Sequence, residues 1–125
     1  MKIDILGETY EMTIVDYGTD DHATQRNLCG YCDNFENKIV IVDLNTYDEF
    51  KSESSMSNMT RMCRTMRHEI IHAFLFESGL DASSCETQSW ALNEEMVDFF
   101  ALQWHKIEYA IAEALEYIFE RFKDQ

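Results

Sequence analysis

The run His68-Glu69-Ile70-Ile71-His72 sets two imidazoles four residues apart with a carboxylate between them. On an α-helix, residues i and i+4 share a face, so both rings can reach one metal ion while the glutamate faces the water on that ion. Zinc suits such a donor pair, and the chemistry is hydrolysis, with the glutamate as general base. Either histidine alone would read as a surface residue of an amphipathic helix. The pair around Glu69 reads as two ligands, His68 and His72, and a base.

Such a site needs a helix beneath it and a third protein donor, leaving the fourth position open. Met59, Met62, Cys63, Met66, Ile70 and Phe74 recur at helical spacing around the motif, and Ser78-Gly79 supplies a stop signal. The motif is therefore expected inside a helix of roughly five turns. Downstream, Leu92, Met96, Val97, Phe99, Phe100, Ala101, Leu102 and Trp104 make a segment apolar almost all the way round, which predicts a buried helix. Acids inside such a helix need partners. A zinc ion would satisfy Glu94, and Asp98, one turn on, could accept the Nδ1 proton of a zinc-binding histidine. Glu95 points about 100° away and aligns with Phe99 and Leu102, so Glu94 is the preferred ligand of the two neighbouring acids.

The motif at 68–72 followed by Asn93-Glu94-Glu95-Met96-Val97-Asp98 resembles the gluzincin pattern, H-E-x-x-H then N-E-x-x-x-D, of thermolysin-like zinc metallopeptidases. The wording from His72 to Leu80 and from Glu94 to Asp98 is closer still to very small zinc-peptidase-like proteins carried by phages and prophages. This resemblance covers roughly residues 28 to 105, and its specific parts are the two motifs. It implies a minimal zincin-like α+β domain with His68, His72 and Glu94 as zinc ligands, Glu69 as base and Asp98 orienting a histidine. It also implies a peptide or protein substrate. Two departures stand out. Thermolysin-like enzymes carry a second, mostly helical domain that 125 residues are not expected to hold. Compact repressor-cleaving relatives place alanine and a small or polar residue after the ligand glutamate, where this chain has Glu95 and Met96.

The remaining segments supply the scaffold. Residues 3–6 and 9–15 read as a hairpin split at Gly7, and Lys38-Ile39-Val40-Ile41-Val42-Asp43 is the strongest strand. The expected order is a small antiparallel or mixed sheet, then three helices, with the motif on the first long one. By the resemblance, strand 38–43 would line the cleft and pair its free edge with an extended substrate. Residues 16–37 are polar and turn-rich, and Cys29-Gly30-Tyr31-Cys32 reads as a turn with thiols packed inside, lacking the donors for a second zinc site. The Ser83-Ser84-Cys85 stretch reads as a loop. Serine-rich residues 51–58 can cap the motif helix. Residues 106–122 carry Ile107, Ala110, Ile111, Leu115, Ile118 and Phe122 at helical spacing, an amphipathic packing helix. His105 and Tyr109 are the nearest downstream candidates for donors to an oxyanion, without motif support.

At 125 residues and 46% hydrophobic content, the chain can bury one core and is too short for two, so residues 1–125 are expected to form one domain. No apolar run approaches the length of a membrane span, and the start has no charged-then-apolar leader, so a cytoplasmic protein without membrane contact is expected. Four cysteines fit a reducing compartment. Twenty-four acids against ten basic residues leave a formal charge of −14, which repels nucleic acid and makes it an unexpected partner. The same charge supports an alternative: a non-catalytic, zinc-stabilised acidic protein that binds a host protein or mimics nucleic acid.

Overall fold

The alternating and continuous apolar runs of the first 43 residues become a four-stranded sheet. In a computed structural model of the chain, residues 1–83 and 94–123 are described, without the side chains of Ser83, Glu94, Val97 and Ala101. The strands are β1 (Lys2–Ile5), β2 (Glu8–Asp16), β3 (Gly30–Asp33) and β4 (Lys38–Asp43), in the order β1-β2-β4-β3. β1 and β2 form the hairpin, Ile3 opposite Tyr10. β2 and β4 run parallel, Met12 beside Ile39 and Ile14 beside Ile41, and β3 returns antiparallel to β4. A parallel pair needs a crossover, and α1 (Asp21–Arg26) with β3 fills it.

β4 is therefore interior. This corrects the expectation that residues 38–43 offer a free edge. Ile39, Val40, Ile41, Val42 and Asp43 are all buried, so β4 is covered on both faces, as a continuous Ile/Val run requires. The edge beside it belongs to β3, which also corrects the reading of Cys29–Cys32 as a turn. Cys32 lies in β3 and Cys29 just before it.

A 3₁₀ turn at Leu44–Thr46 leads to α2 (Ser55–Glu77), 23 residues long, which carries the motif. Ser54 caps it, its Oγ accepting from Ser57 N–H at 3.1 Å. Buried Asn58 pins the first turn to the preceding loop, its Nδ2 donating to Asn45 Oδ1 at 2.9 Å and to the Phe50 carbonyl at 3.0 Å. Gly79, at φ 83°, ends the helix in the left-handed conformation that glycine adopts without steric cost.

α3 (Leu80–Ser83) follows, so Ser83 closes a short helix instead of opening a loop; Cys85 and Asn93 lie outside the described residues. α4 (Glu94–Phe122) is one 29-residue helix where two were expected. The chain has no proline, and its last glycine is Gly79, so nothing between 94 and 122 breaks the backbone. The segment around Leu102 is also less buried than expected: Leu102 is 70% and Trp104 53% exposed.

One apolar cluster joins the layers. Ile3, Ile5, Tyr10, Met12, Ile39 and Ile41 from the sheet meet Met62, Met66, Ile70 and Phe74 of α2 and Phe99, Ile107, Ala110, Ala114 and Ile118 of α4. Arg121 ties the far end of α4 to the ends of both parallel strands, its Nε donating to Asp43 Oδ2 at 3.0 Å and its Nη2 to Asp16 Oδ1 at 2.9 Å. Among the described residues no helix is long and apolar enough to cross a membrane.

Candidate metal centre

On α2 the stripe Asn58, Met62, Met66, Glu69 and Ala73 is buried, following the helical repeat. Glu69 thus occupies a core position, while His68 and His72 flank it on the exposed side. Their Nε2 atoms stand 3.0 Å apart and their ring centroids 4.6 Å apart at an interplanar angle of 74°. Two nitrogens held at about 2.0–2.1 Å on a tetrahedral zinc ion would be about 3.4 Å apart, so the rings need open by only a few tenths of an ångström. The donor types and their spacing fit zinc.

Glu69 is 8% exposed. Burial raises its carboxyl above the ordinary value of 4.5, and the neighbouring His68 and His72 oppose the rise. Among the described residues no hydrogen bond reaches its carboxylate. A basic carboxylate beside two imidazoles can take a proton from water more readily than an ordinary surface glutamate.

β3 packs against α2 just before the motif, Gly30 beside Thr65. A Cβ on Gly30 would stand 2.7 Å from Thr65 Cγ2 and 2.8 Å from the Val40 carbonyl oxygen, so only glycine lets strand and helix meet here. The Val42 amide donates to the Cys29 carbonyl at 2.9 Å, which sets Cys29, Tyr31 and Asp33 as the residues bonded to β4. The amides and carbonyls of Gly30 and Cys32 consequently face the open edge. Between this strand and α2 lies a cleft of about 360 Å³, lined by Gly30, Phe50, Arg61, Arg64, Thr65 and His68 among others, with Glu69 in its wall. Cys32 lies close enough for Glu69 to act on it. Its thiol is pushed up to about 12, first by burial and then by the charge of Glu69.

His68, Glu69 and His72 lie side by side on α2, and Asp98, His105 and Tyr109 lie elsewhere. Glu94 opens α4, but its side chain lies outside the described residues. Asp98 is exposed and lines a different cavity of about 520 Å³ with Leu6, Ser78, Leu80, Glu95 and Phe99. Ser78 follows His72 by six residues, about 9 Å along a helix, and no hydrogen bond joins Asp98 to either ring among the described residues. Nor do the described residues contain a group of three metal-ligating side chains. His105 and Tyr109 border a third cavity with Asp4 and Lys106, separate from the cleft.

Sequence reasoning passed over Gly30, Arg61 and Arg64. Arg61, Arg64, Thr65, His68 and His72 follow the helical repeat, so the arginines share the motif's own face, and that periodicity was a usable signal. No protein-family model, curated protein or solved structure matches the chain.

Proposed function

We propose that the protein is a zinc-dependent metallopeptidase of gluzincin type on a zincin-like α+β domain, made by a phage or mobile element and acting in the cytoplasm of a bacterial host. The observation that carries the reading is the convergence of His68 and His72 Nε2, 3.0 Å apart, beside the buried carboxylate of Glu69. A site serving structure alone has no need of an acid there and would close its fourth position.

His68 and His72 would hold the ion, with Glu94 completing the set and Asp98 orienting a ring. Glu94 and Asp98 enter from the sequence resemblance, not from contact with the histidines. Completing the ligand set would tie the start of α4 to α2, a contribution of the metal to folding. When bound, zinc would lower the pKa of water and polarise the scissile carbonyl. Glu69 takes the proton of the attacking water and delivers it to the departing amine. The open groups of Gly30 and Cys32 hold the substrate backbone extended beside the cleft, the part first expected of β4.

The test is Glu69→Gln. It should keep zinc and the fold while losing all hydrolysis of a peptide that the wild type cleaves. Hydrolysis that survives the change removes Glu69 from its role. A second reading, the acidic zinc-stabilised protein that binds a host protein or mimics nucleic acid, draws on the charge of −14. It leaves Glu69 unexplained.

A further inference from the structure

We infer that the cleft selects an acidic peptide, binding carboxylate side chains two and four residues from the scissile bond through Arg64 and Arg61; this rests on the peptidase reading above. Both arginines line the cleft that ends at His68 and Glu69. Their placement runs against the rest of the molecule, which has 24 acids and only ten Lys and Arg residues. Lys38, Lys51, Arg121, Lys123 and the N-terminus form ion pairs, while Lys2, Arg26, Arg67 and Lys106, like Arg61 and Arg64, form none among the described residues, so what sets the two arginines apart is their place in the cleft. No carboxylate lies within ion-pair distance of Arg61 or Arg64 among the described residues. Arg61 is held in place: its guanidinium lies 5.5 Å from the centroid of the Phe50 ring, a cation–π contact that leaves its N–H groups free.

The spacing sets the subsites. Arg64 and Arg61 precede His68 by four and seven residues, about 6 and 10 Å along the helix. A strand paired to Gly30 and Cys32 would advance about 3.3 Å per residue with side chains alternating between its faces, so those on the helix side, two and four residues from the bond at the histidines, come within reach of the long side chains of Arg64 and Arg61. Nucleic acid also carries anions, but its backbone cannot satisfy the amides and carbonyls of a strand edge, and the global charge repels a polyanion. An acidic peptide meets both requirements.

The test uses zinc-loaded Glu69→Gln protein, which binds without turnover, and fluorescence anisotropy with three labelled probes. These are an octapeptide alternating glutamate and threonine, its glutamine–threonine counterpart, and octathymidylate. The glutamate peptide should bind about tenfold tighter than the glutamine peptide, against the sign of the protein's net charge, and added salt should erase the difference. Arg64→Gln, alone or with Arg61→Gln, should abolish the preference with the circular dichroism unchanged. Arg67→Gln, which removes the same charge outside the cleft, should leave it intact. Equal binding of the two peptides, binding of neither, an equal loss in Arg67→Gln, or tighter binding of octathymidylate overturns the inference. Cleavage by the wild type without acidic preference overturns this inference alone. An acidic preference without any cleavage overturns the peptidase reading alone.

Discussion

Glu69 is set in a conflict between folding and chemistry. Its position in the α2 stripe between Met66 and Ala73 belongs to the core, yet it holds a carboxylate with no hydrogen-bond partner among the described residues. Burying such a charge costs stability, and the raised carboxyl is the signature of that cost. Glu69→Gln should therefore raise the melting temperature of the metal-free protein by a few degrees while removing function, a trade-off common at active sites. An unchanged or lowered melting temperature in calorimetry would show that the carboxylate is satisfied. Cys32 titrates to a second outcome. Its folded value of about 12 lies above the ordinary 9.0, so the folded state keeps the proton longer than the unfolded chain. Tyr10 and Tyr31 are raised the same way, by burial first and then by hydrogen bonds to Glu77 and Asp20. The stability these groups contribute is whole below about pH 9 and lost as pH rises towards 12. Denaturation midpoints should fall across that window, and Cys32 should alkylate far more slowly at pH 8 than a free thiol.

Among the elements, α2 was the most legible. Its apolar spacing, its serine cap and its glycine stop are local signals that tertiary contacts did not override. The edge strand was hidden because Gly30–Asp33 is four residues long inside a polar stretch, and a strand that short exists through its pairing with β4. The interior position of β4 was in fact signalled by its unbroken Ile/Val run, which demands cover on both faces. Two predictions belong at this scale. Gly30→Ala should destabilise by about 1–3 kcal/mol in urea unfolding, because the added methyl meets both Thr65 and a backbone carbonyl. A neutral effect would mean that β3 does not press on the motif helix. The first turns of α4 carry the other. Glu94→Gln should abolish tight zinc binding, Asp98→Asn should weaken it roughly ten- to hundredfold, and Glu95→Gln should be mild in a zinc titration. Damage from Glu95→Gln in place of Glu94→Gln would assign the wrong acid to the site.

Across the whole molecule, the two ends of the fold are held differently. At one end Arg121 neutralises Asp43, which is 2% exposed, together with Asp16. Arg121→Met should cost about 2–3 kcal/mol, because a buried carboxylate loses its charged donor; full stability in denaturant would refute that pairing. At the other end, where α2 stops and α4 starts, the proposed zinc site would tie the two helices together. The proposed donors there come from two motifs whose meeting is a tertiary contact between α2 and α4 that local periodicity does not encode. The central claim is tested most directly by metal content and melting temperature measured on the same preparations. Wild-type protein purified without chelator should carry about one zinc per chain and melt several degrees lower after chelation, since a ligand bound to the native state adds to its stability. Glu69→Gln should match it in zinc, and His72→Ala should not bind tightly. A wild-type protein that holds no zinc, takes none up on reconstitution and melts unchanged with added zinc would contradict the account.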